Sequence, residues 1–281
     1  MNTEPGYRLS LEQVQLVASS LAADVGKGDI TAALIPEDVN AQATVVVREP
    51  AVVCGQAWFT EVFRQIDERM TLSWCVDEGA LVAADTVLVN ITGPARSLLT
   101  AEREALNWLQ TLSGTATVVR RYVDAIADYS TTLLDTRKTV PGLRVAQKYA
   151  VTVGGAKNHR QGLYDAFLIK ENHIMSAGSI AAAVQQARVM HSDRLVEVEV
   201  ETMAECEQAL AADVDVIMLD NFSIEQMSAA VELTAGRAKL EASGNITLSN
   251  LAEVAATGVD YISLGALTKH VHAVDLSLRM A

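Results

Sequence analysis

The stretch LVEVEVETMAECEQALAADVDVIMLD, residues 195–220, decides the fold. Val196, Val198 and Val200 alternate with Glu197, Glu199 and Glu201, the period-two pattern of a strand. Ala204–Ala212 follows with helical spacing, and 215–219, DVIML, is a second β-rich run. Strand, helix and strand in one short stretch make a βα unit of a parallel sheet. If the valines pack beneath helices, the three glutamates face a barrel interior. A carboxylate there is costly unless a Lys, Arg or metal pairs with it. The competing reading is an edge strand with a solvated acidic face.

The same rhythm extends outward on both sides. TTLLD (131–135), AFLIK (166–170), KLEAS (239–243) and DYISL (260–264) read as further strands. Ser179–Met190, Ile224–Thr234 and Leu248–Ala256 read as the helices between them. Six strands are placed in this way, and the stretch between Gly142 and Asn158 leaves room for a seventh. Six or seven parallel strands fit an incomplete β/α barrel, with a doubly wound open sheet as the alternative.

The first hundred residues mix patterns instead. A helix is expected from Leu11 after Ser10 as N-cap, then a Gly-punctuated loop, DVGKGDIT (24–31). Strands are expected at 43–48, 51–54 and 86–91, and a helix at Trp58–Ile66. Leu98, Ala101, Ala105, Leu109 and Leu112 lie on one face of a long helix. Ser113-Gly114 is expected to break it, with a second helix over 115–128. The fold class is therefore α/β. An α+β N-terminal domain spans 1–114, joined by the tail 271–281, and an incomplete barrel of six to seven strands spans 115–270.

The formal charge of −13 opposes a nucleic-acid partner, which needs a basic field, and an anionic membrane surface. The charge is uneven, however. Between Arg137 and Lys170 there are seven Lys/Arg and one acid, Asp165, a window of +6. An acidic protein with one basic pocket points to a small anionic ligand. No apolar run reaches the length of a membrane span, and the N-terminus lacks the pattern of a secretory signal. A cytoplasmic location is the expectation. Cys54, Cys75 and Cys206 are far apart and read as small buried hydrophobes in a reducing compartment.

In β/α barrels the functional groups gather at the C-terminal ends of the strands. Five of the strands here end in chemistry: Thr136-Arg137-Lys138; Lys170 with Glu171, Asn172 and His173; Asp220-Asn221; Ser243-Gly244-Asn245; and Gly265. Gly154-Gly155 leads into Lys157, Asn158, His159 and Arg160, a set suited to an anion. Ser243-Gly244-Asn245 lies where late barrel strands bind phosphate through loop amides. No phosphate-loop or dinucleotide fingerprint occurs, and no metal cage has ligand spacing; His191, His270 and His272 read as surface or packing residues.

These residues also carry a family resemblance. DTRKTVPGLR (135–144), GGAKNHRQGL (154–163) and AFLIKENHI (166–174) closely resemble quinolinate phosphoribosyltransferases. The likeness continues in order through GDIT (28–31), AEREALNWLQTLSGTAT (101–117), VEVEVET (196–202), MLDNFS (218–223), LEASGNI (240–246) and ISLGALTKHVHAVDLS (262–277). It implies transfer of a phosphoribosyl group from phosphoribosyl pyrophosphate to quinolinate, with loss of CO2, in NAD synthesis. It implies Mg2+ as cofactor, held by Glu199 and Asp220. Arg137, His159, Arg160 and Lys170 resemble the quinolinate-binding cluster, and Lys138 a phosphoribosyl pyrophosphate contact. Lys138, Lys170, Glu199 and Asp220 are the implied catalytic set. Ser243, Gly244 and Gly265 resemble the 5′-phosphate cradle. Arg103 resembles an arginine that a homodimer inserts into its neighbour's site. Many members read GALTH where this chain has Lys269 before His270, so no histidine role transfers to either. A related enzyme for another heteroaromatic acid and a non-catalytic sensor of a phosphorylated metabolite remain alternatives.

Overall fold

Helix α1 (Leu11–Val25) begins at Ser10, as expected. The Ser10 hydroxyl accepts the Gln13 N–H at 3.3 Å, and the Gln13 side chain accepts the Ser10 N–H at 2.7 Å. The structure, a computed structural model, describes residues 6–280. It divides into two units. The first runs through Val118 and adds Thr152–Gly154 and the tail from Val271. The second holds Val119–Val151 and Gly155–His270.

In the first unit, helix α2 (Gln56–Ile66) buries Trp58, Phe59, Val62 and Phe63. Strands β1 (Asn40–Val47), β3 (Thr71–Trp74) and β5 (Val87–Pro94) join the tail strand Leu276–Met280 in one antiparallel sheet, in the order tail, β1, β5, β3. Strands β2 (Ala51–Val52) and β4 (Leu81–Val82) pair separately. Three of these strands escape a sequence reading: β3 and β4 are too short for a clear period, and the tail strand is only partly buried. Cys54 is buried here, but Cys75 is exposed, against expectation.

Helix α3 (Ala95–Asp124) is continuous. The expected break at Ser113-Gly114 is absent because both residues serve tertiary contacts. Ser113 Oγ accepts the Cys54 N–H at 3.0 Å and donates to the Cys54 carbonyl at 3.1 Å. A Cβ at Gly114 would collide with the carbonyl oxygen of His272. This glycine admits a passing backbone rather than ending a helix.

The second unit carries a parallel sheet of β6 (Thr132–Leu134), β7 (Phe167–Ile169), β8 (Val196–Val200), β9 (Val216–Asp220), β10 (Lys239–Ser243) and β11 (Tyr261–Ser263). Their order is β6-β11-β10-β9-β8-β7. The first strand in sequence thus pairs with the last, as in a sheet that curls toward closure and not as in a doubly wound sheet. The sheet has the six strands placed from sequence; the stretch with room for a seventh holds helix α4 (Arg144–Val153), followed by one parallel bridge between Leu134 and Lys157. The barrel therefore stays open between the Lys157 segment and β7.

Helices α5 (Glu171–Ala177), α6 (Ile180–Met190), α7 (Met203–Ala211), α8 (Ile224–Thr234), α9 (Leu251–Ala256) and α10 (Ala266–Lys269) complete the unit. Glu171, Asn172 and His173 belong to α5 rather than to a loop. The strand faces divide cleanly. Val196, Val198 and Val200 join the apolar cluster with Cys206 and Ala209 of α7, at 1 % exposure or less. Parallel register aligns Leu168, Glu197, Val216 and Lys239 on the other face, and next to them Glu199, Met218, Glu241 and Tyr261. Glu197 and Glu199 thus point inward as expected, whereas Glu201 lies beyond the end of β8 and is exposed. No helix among the described residues is long and apolar enough to cross a membrane.

Candidate active site

The inward residues at the C-terminal strand ends enclose a cavity of about 220 Å³. Thr136, Arg137 and Lys138 follow β6; Leu168 and Lys170 come from the end of β7; Glu199, Met218, Ser243 and Ser263 come from β8 to β11. His159 and Arg160 arrive from the segment that fills the open seam. An open recess of about 640 Å³ shares Arg137, Arg160, Leu168 and Lys170 with this cavity.

Cations dominate. Lys170 Nζ forms an ion pair with Glu199 Oε2, so one lysine already has its countercharge. Arg137 Nε is buried with no hydrogen-bond partner. Burial, and then the neighbouring Arg137 charge, hold the Arg160 guanidinium below its usual pKa. Two arginines that repel each other in a half-buried pocket, one with an orphaned N–H, are arranged for a planar anion. Lys138 is exposed and lies against Gly265: a Cβ at Gly265 would stand 2.9 Å from Lys138 Cδ. The Lys138 carbonyl accepts the Thr268 hydroxyl at 2.9 Å, which ties this loop to α10.

Asp220, half-buried at the end of β9, accepts from Asn221 Nδ2 at 2.8 Å and is not among the lining residues. Its register partner Ser243 is. Gly244 takes a left-handed φ of 94°, and a Cβ there would collide with Asn221 Oδ1. Arg103 lies in the other unit, exposed on α3.

A network not legible in the sequence supports the His159–Arg160 turn. Asp135 and Lys148 are fully buried and pair at 2.5 Å. Asp135 Oδ1 also accepts the His159 N–H at 2.9 Å, and Lys148 Nζ donates to the His159 carbonyl at 3.0 Å. With the Asn158 amide oriented so that both its ends are satisfied, Nδ2 donates to Asp135 Oδ2 at 2.6 Å and to the Lys148 carbonyl at 2.9 Å. Asn158 is thus a strut, and Lys157 an exposed bridge residue; of the four-residue Lys157–Arg160 set, Arg160 presents its charge to the cavity. Lysine on a helix normally faces water, so nothing in the sequence marks Lys148 as buried.

His159 itself turns inward. Its Nε2 lies 2.9 Å from Glu197 Oε2 and 3.5 Å from Glu241 Oε2, and its Nδ1 accepts the Arg160 N–H at 2.7 Å. Glu241 was open to discovery by the alternation that exposes Glu197, since Leu240 and Ala242 flank it as buried neighbours.

Comparison with known proteins identifies the family. The sequence profile of the quinolinate phosphoribosyl transferase N-terminal domain matches residues 29–113, and that of the C-terminal domain matches 115–279. A probable nicotinate-nucleotide pyrophosphorylase [carboxylating] of Synechocystis sp. is 44 % identical over 264 residues, covering 92 % of this chain and 90 % of that protein. A tobacco (Nicotiana tabacum) quinolinate phosphoribosyltransferase [decarboxylating] is 38 % identical over 95 % of this chain and 81 % of its own length. The solved nicotinate-nucleotide pyrophosphorylase of Francisella tularensis superposes with a TM-score of 0.96 at 48 % identity, over 100 % of both chains.

Proposed function

This chain belongs to the quinolinate phosphoribosyl transferase family, and on that premise we propose that it joins quinolinate to phosphoribosyl pyrophosphate. The products are nicotinate mononucleotide, pyrophosphate and CO2, a step of NAD synthesis. The observation that carries this reading is the pair of mutually repelling arginines, Arg137 and Arg160, beside Lys170 in one cavity. Quinolinate is a dicarboxylate, and guanidinium forks bind carboxylates two hydrogen bonds at a time.

The chemistry asks for positioning and charge more than for a strong base. Arg137, Arg160 and Lys170 hold the two carboxylates and leave the ring nitrogen free to attack the sugar. The sugar centre becomes cationic as pyrophosphate leaves, and Glu199 supplies a nearby carboxylate to stabilise it. Lys138, exposed at the rim, is placed to neutralise the departing pyrophosphate. Attachment gives the ring nitrogen a positive charge, so the electron pair released when the 2-carboxylate leaves as CO2 is stabilised beside it. A proton from solvent then completes the ring. Ser243, Gly244 and Gly265 belong to the phosphate end of the same substrate.

Mg2+ fits the donor set. Glu199 and Asp220 offer hard carboxylate oxygens from adjacent strands, and magnesium prefers a few such ligands together with substrate oxygens and water. When bound with phosphoribosyl pyrophosphate, it would neutralise the leaving group.

We further assign Arg103 to the site of a second copy, in a homodimer. Arg103 is exposed, and Leu163, Tyr164 and Met175, at 74–77 % exposure near the recess, are the apolar surface such a partner would cover. The reaction is assigned to the cytoplasm, since its multiply charged substrates do not cross a bilayer unaided.

The test is CO2 and pyrophosphate release by purified protein with magnesium, phosphoribosyl pyrophosphate and either quinolinate or nicotinate. Release of both from quinolinate is expected. No CO2 from quinolinate, or equal pyrophosphate release with nicotinate, would sink the reading.

A further inference from the structure

Below the cavity, three ionisable side chains meet inside the barrel. Glu197 of β8 and Glu241 of β10 are 2 % and 1 % exposed, and one oxygen of each, Oε1, has no hydrogen-bond partner. His159 Nε2 lies near the other oxygen of both, at 2.9 and 3.5 Å, aligned for a full hydrogen bond with neither. The second ring nitrogen is already used, since Nδ1 accepts the Arg160 N–H at 2.7 Å. Burial lowers the His159 pKa, but Glu197 and Glu241 outweigh it and raise it. Against that pull, a ring nitrogen that accepts carries no proton, so the Nδ1 geometry selects the neutral ring with its hydrogen on Nε2, facing the carboxylates.

This tautomer decides between three roles. The three residues offer ligand atoms within 4.8 Å of one another, donor types that suit a transition metal. A metal needs the Nε2 lone pair, however, and Nδ1–H would then point at the Arg160 N–H. A direct grip on substrate is equally disfavoured: His159 lines the cavity, but its Nε2 is buried against the two carboxylates and its Nδ1 holds the Arg160 N–H. What remains is support.

We propose that Glu197 and Glu241 are positioning residues: they lock His159 in its Nε2–H form, and the locked ring, through Nδ1, fixes the peptide that aims Arg160 at the substrate carboxylate. The substrate half of this inference rests on the function proposed above; the lock itself does not.

The groups around Glu241 can be named element by element. Glu197 faces it from β8, Ser263 and Tyr261 from β11, Met218 from β9, and His159 from the seam segment. On their far side His159, Glu197 and Glu241 border a second cavity of about 340 Å³ at the other end of the strands, whose other charged lining residues are Arg160, Lys157, Lys239 and Asp215. Burial, and then the Glu197 charge, push the Glu241 carboxyl up to about 8. At neutral pH Glu241 therefore contributes an O–H, and the lock holds. As the pH passes about 8, a second buried negative charge appears beside Glu197, and the turn loosens.

Two readouts on the full-length protein test this. The first is ring-nitrogen NMR of 15N-histidine-labelled, substrate-free protein. The five histidines are distinguished by the signal lost in His159→Asn. His159 is expected as a neutral Nε2–H ring at neutral pH, unmoved by Zn2+. An Nδ1–H ring, an imidazolium, or a metal-bound His159 signal overturns the proposal. The second is KM for quinolinate set against kcat. Glu241→Ala is expected to raise KM roughly tenfold or more with a smaller effect on kcat, the signature of a misaimed binding group. Glu241→Gln, with a permanently neutral head of the same shape, should recover most of that loss and abolish the rise in KM above about pH 8. His159→Asn, whose amide oxygen stands where Nδ1 stood, should retain more than His159→Ala. An unaffected KM in Glu241→Ala, or equal losses in the two His159 variants, also overturns it. If the wild-type protein turns over no quinolinate, the proposed function fails alone, and the NMR still decides the lock.

Discussion

Lys148 Nζ stands 2.5 Å from Asp135 Oδ1, and neither side chain reaches solvent. Burial raises the Asp135 pKa and lowers that of Lys148, so each depends on the other to stay charged. Removing one partner strands a charge. Lys148→Met is expected to cost about 3–5 kcal/mol of stability in urea unfolding. Because Asp135 also holds the His159 N–H, the same variant should raise KM for quinolinate. A loss under about 1 kcal/mol would mean that the pair adds nothing beyond shape.

Arg160 tests whether geometry or charge matters. Arg160→Lys keeps the charge but loses the planar fork. At about 1.5–3 kcal/mol per charged hydrogen bond, KM for quinolinate should rise about 10–100-fold. Steady-state kinetics with phosphoribosyl pyrophosphate saturating reads this directly. A lysine variant with wild-type KM would show that charge alone suffices.

Stability should depend on pH through Glu241. Its folded pKa of about 8 lies above the ordinary 4.5, so the folded state holds this proton more tightly. The corresponding stability is fully present below 4.5 and is lost as pH rises through about 8. Unfolding midpoints of the wild type should fall between about pH 6 and about pH 9, relative to Glu241→Gln, which has no such proton to lose. Parallel pH profiles for the two proteins would contradict this assignment.

Gly114 should invert a common rule. Gly→Ala within a helix usually stabilises by about 1 kcal/mol. Here the added methyl meets the His272 carbonyl, so Gly114→Ala is expected to lower Tm instead. A raised Tm would show that the tail yields at no cost.

Arg103→Ala and Lys170→Ala offer a complementation test of the shared site. Each alone should be inactive. Mixed dimers should regain one intact site, so activity should reappear on subunit exchange. Absence of recovery after proven exchange would place Arg103 outside the partner's site.

Much of the second unit can be read from the chain, because strand alternation obeys a local rule. Val196–Val200 states that rule openly, and it correctly sends Glu197 and Glu199 inward. It fails at Glu201, where the strand has already ended. The cations Arg137 and Lys170 are legible because they follow strand ends, and Arg160 because it closes the cationic run after Gly154-Gly155. Lys148 is not, because its burial depends on a partner brought from another element. Gly114 misleads for a related reason: the backbone it accommodates lies far along the chain. Short strands such as Leu81–Val82 carry too few residues to show any period.

The barrel's missing seventh strand has a consequence for how fast and how firmly the site works. A closed barrel admits a ring-sized molecule only through its mouth, and widening it means breaking a ladder of backbone bonds. Here the seam is held by one bridge and by side chains around Asp135 and Lys148. Opening it is a local event that leaves the β8–β9–β10 ladders closed. Exchange of the 157–161 amides with deuterium should therefore run far ahead of exchange in those strands, and slow when a ligand fills the cavity. Substrate access and global unfolding are then separate processes, so the strands can be made more durable without slowing the passage of small molecules in and out.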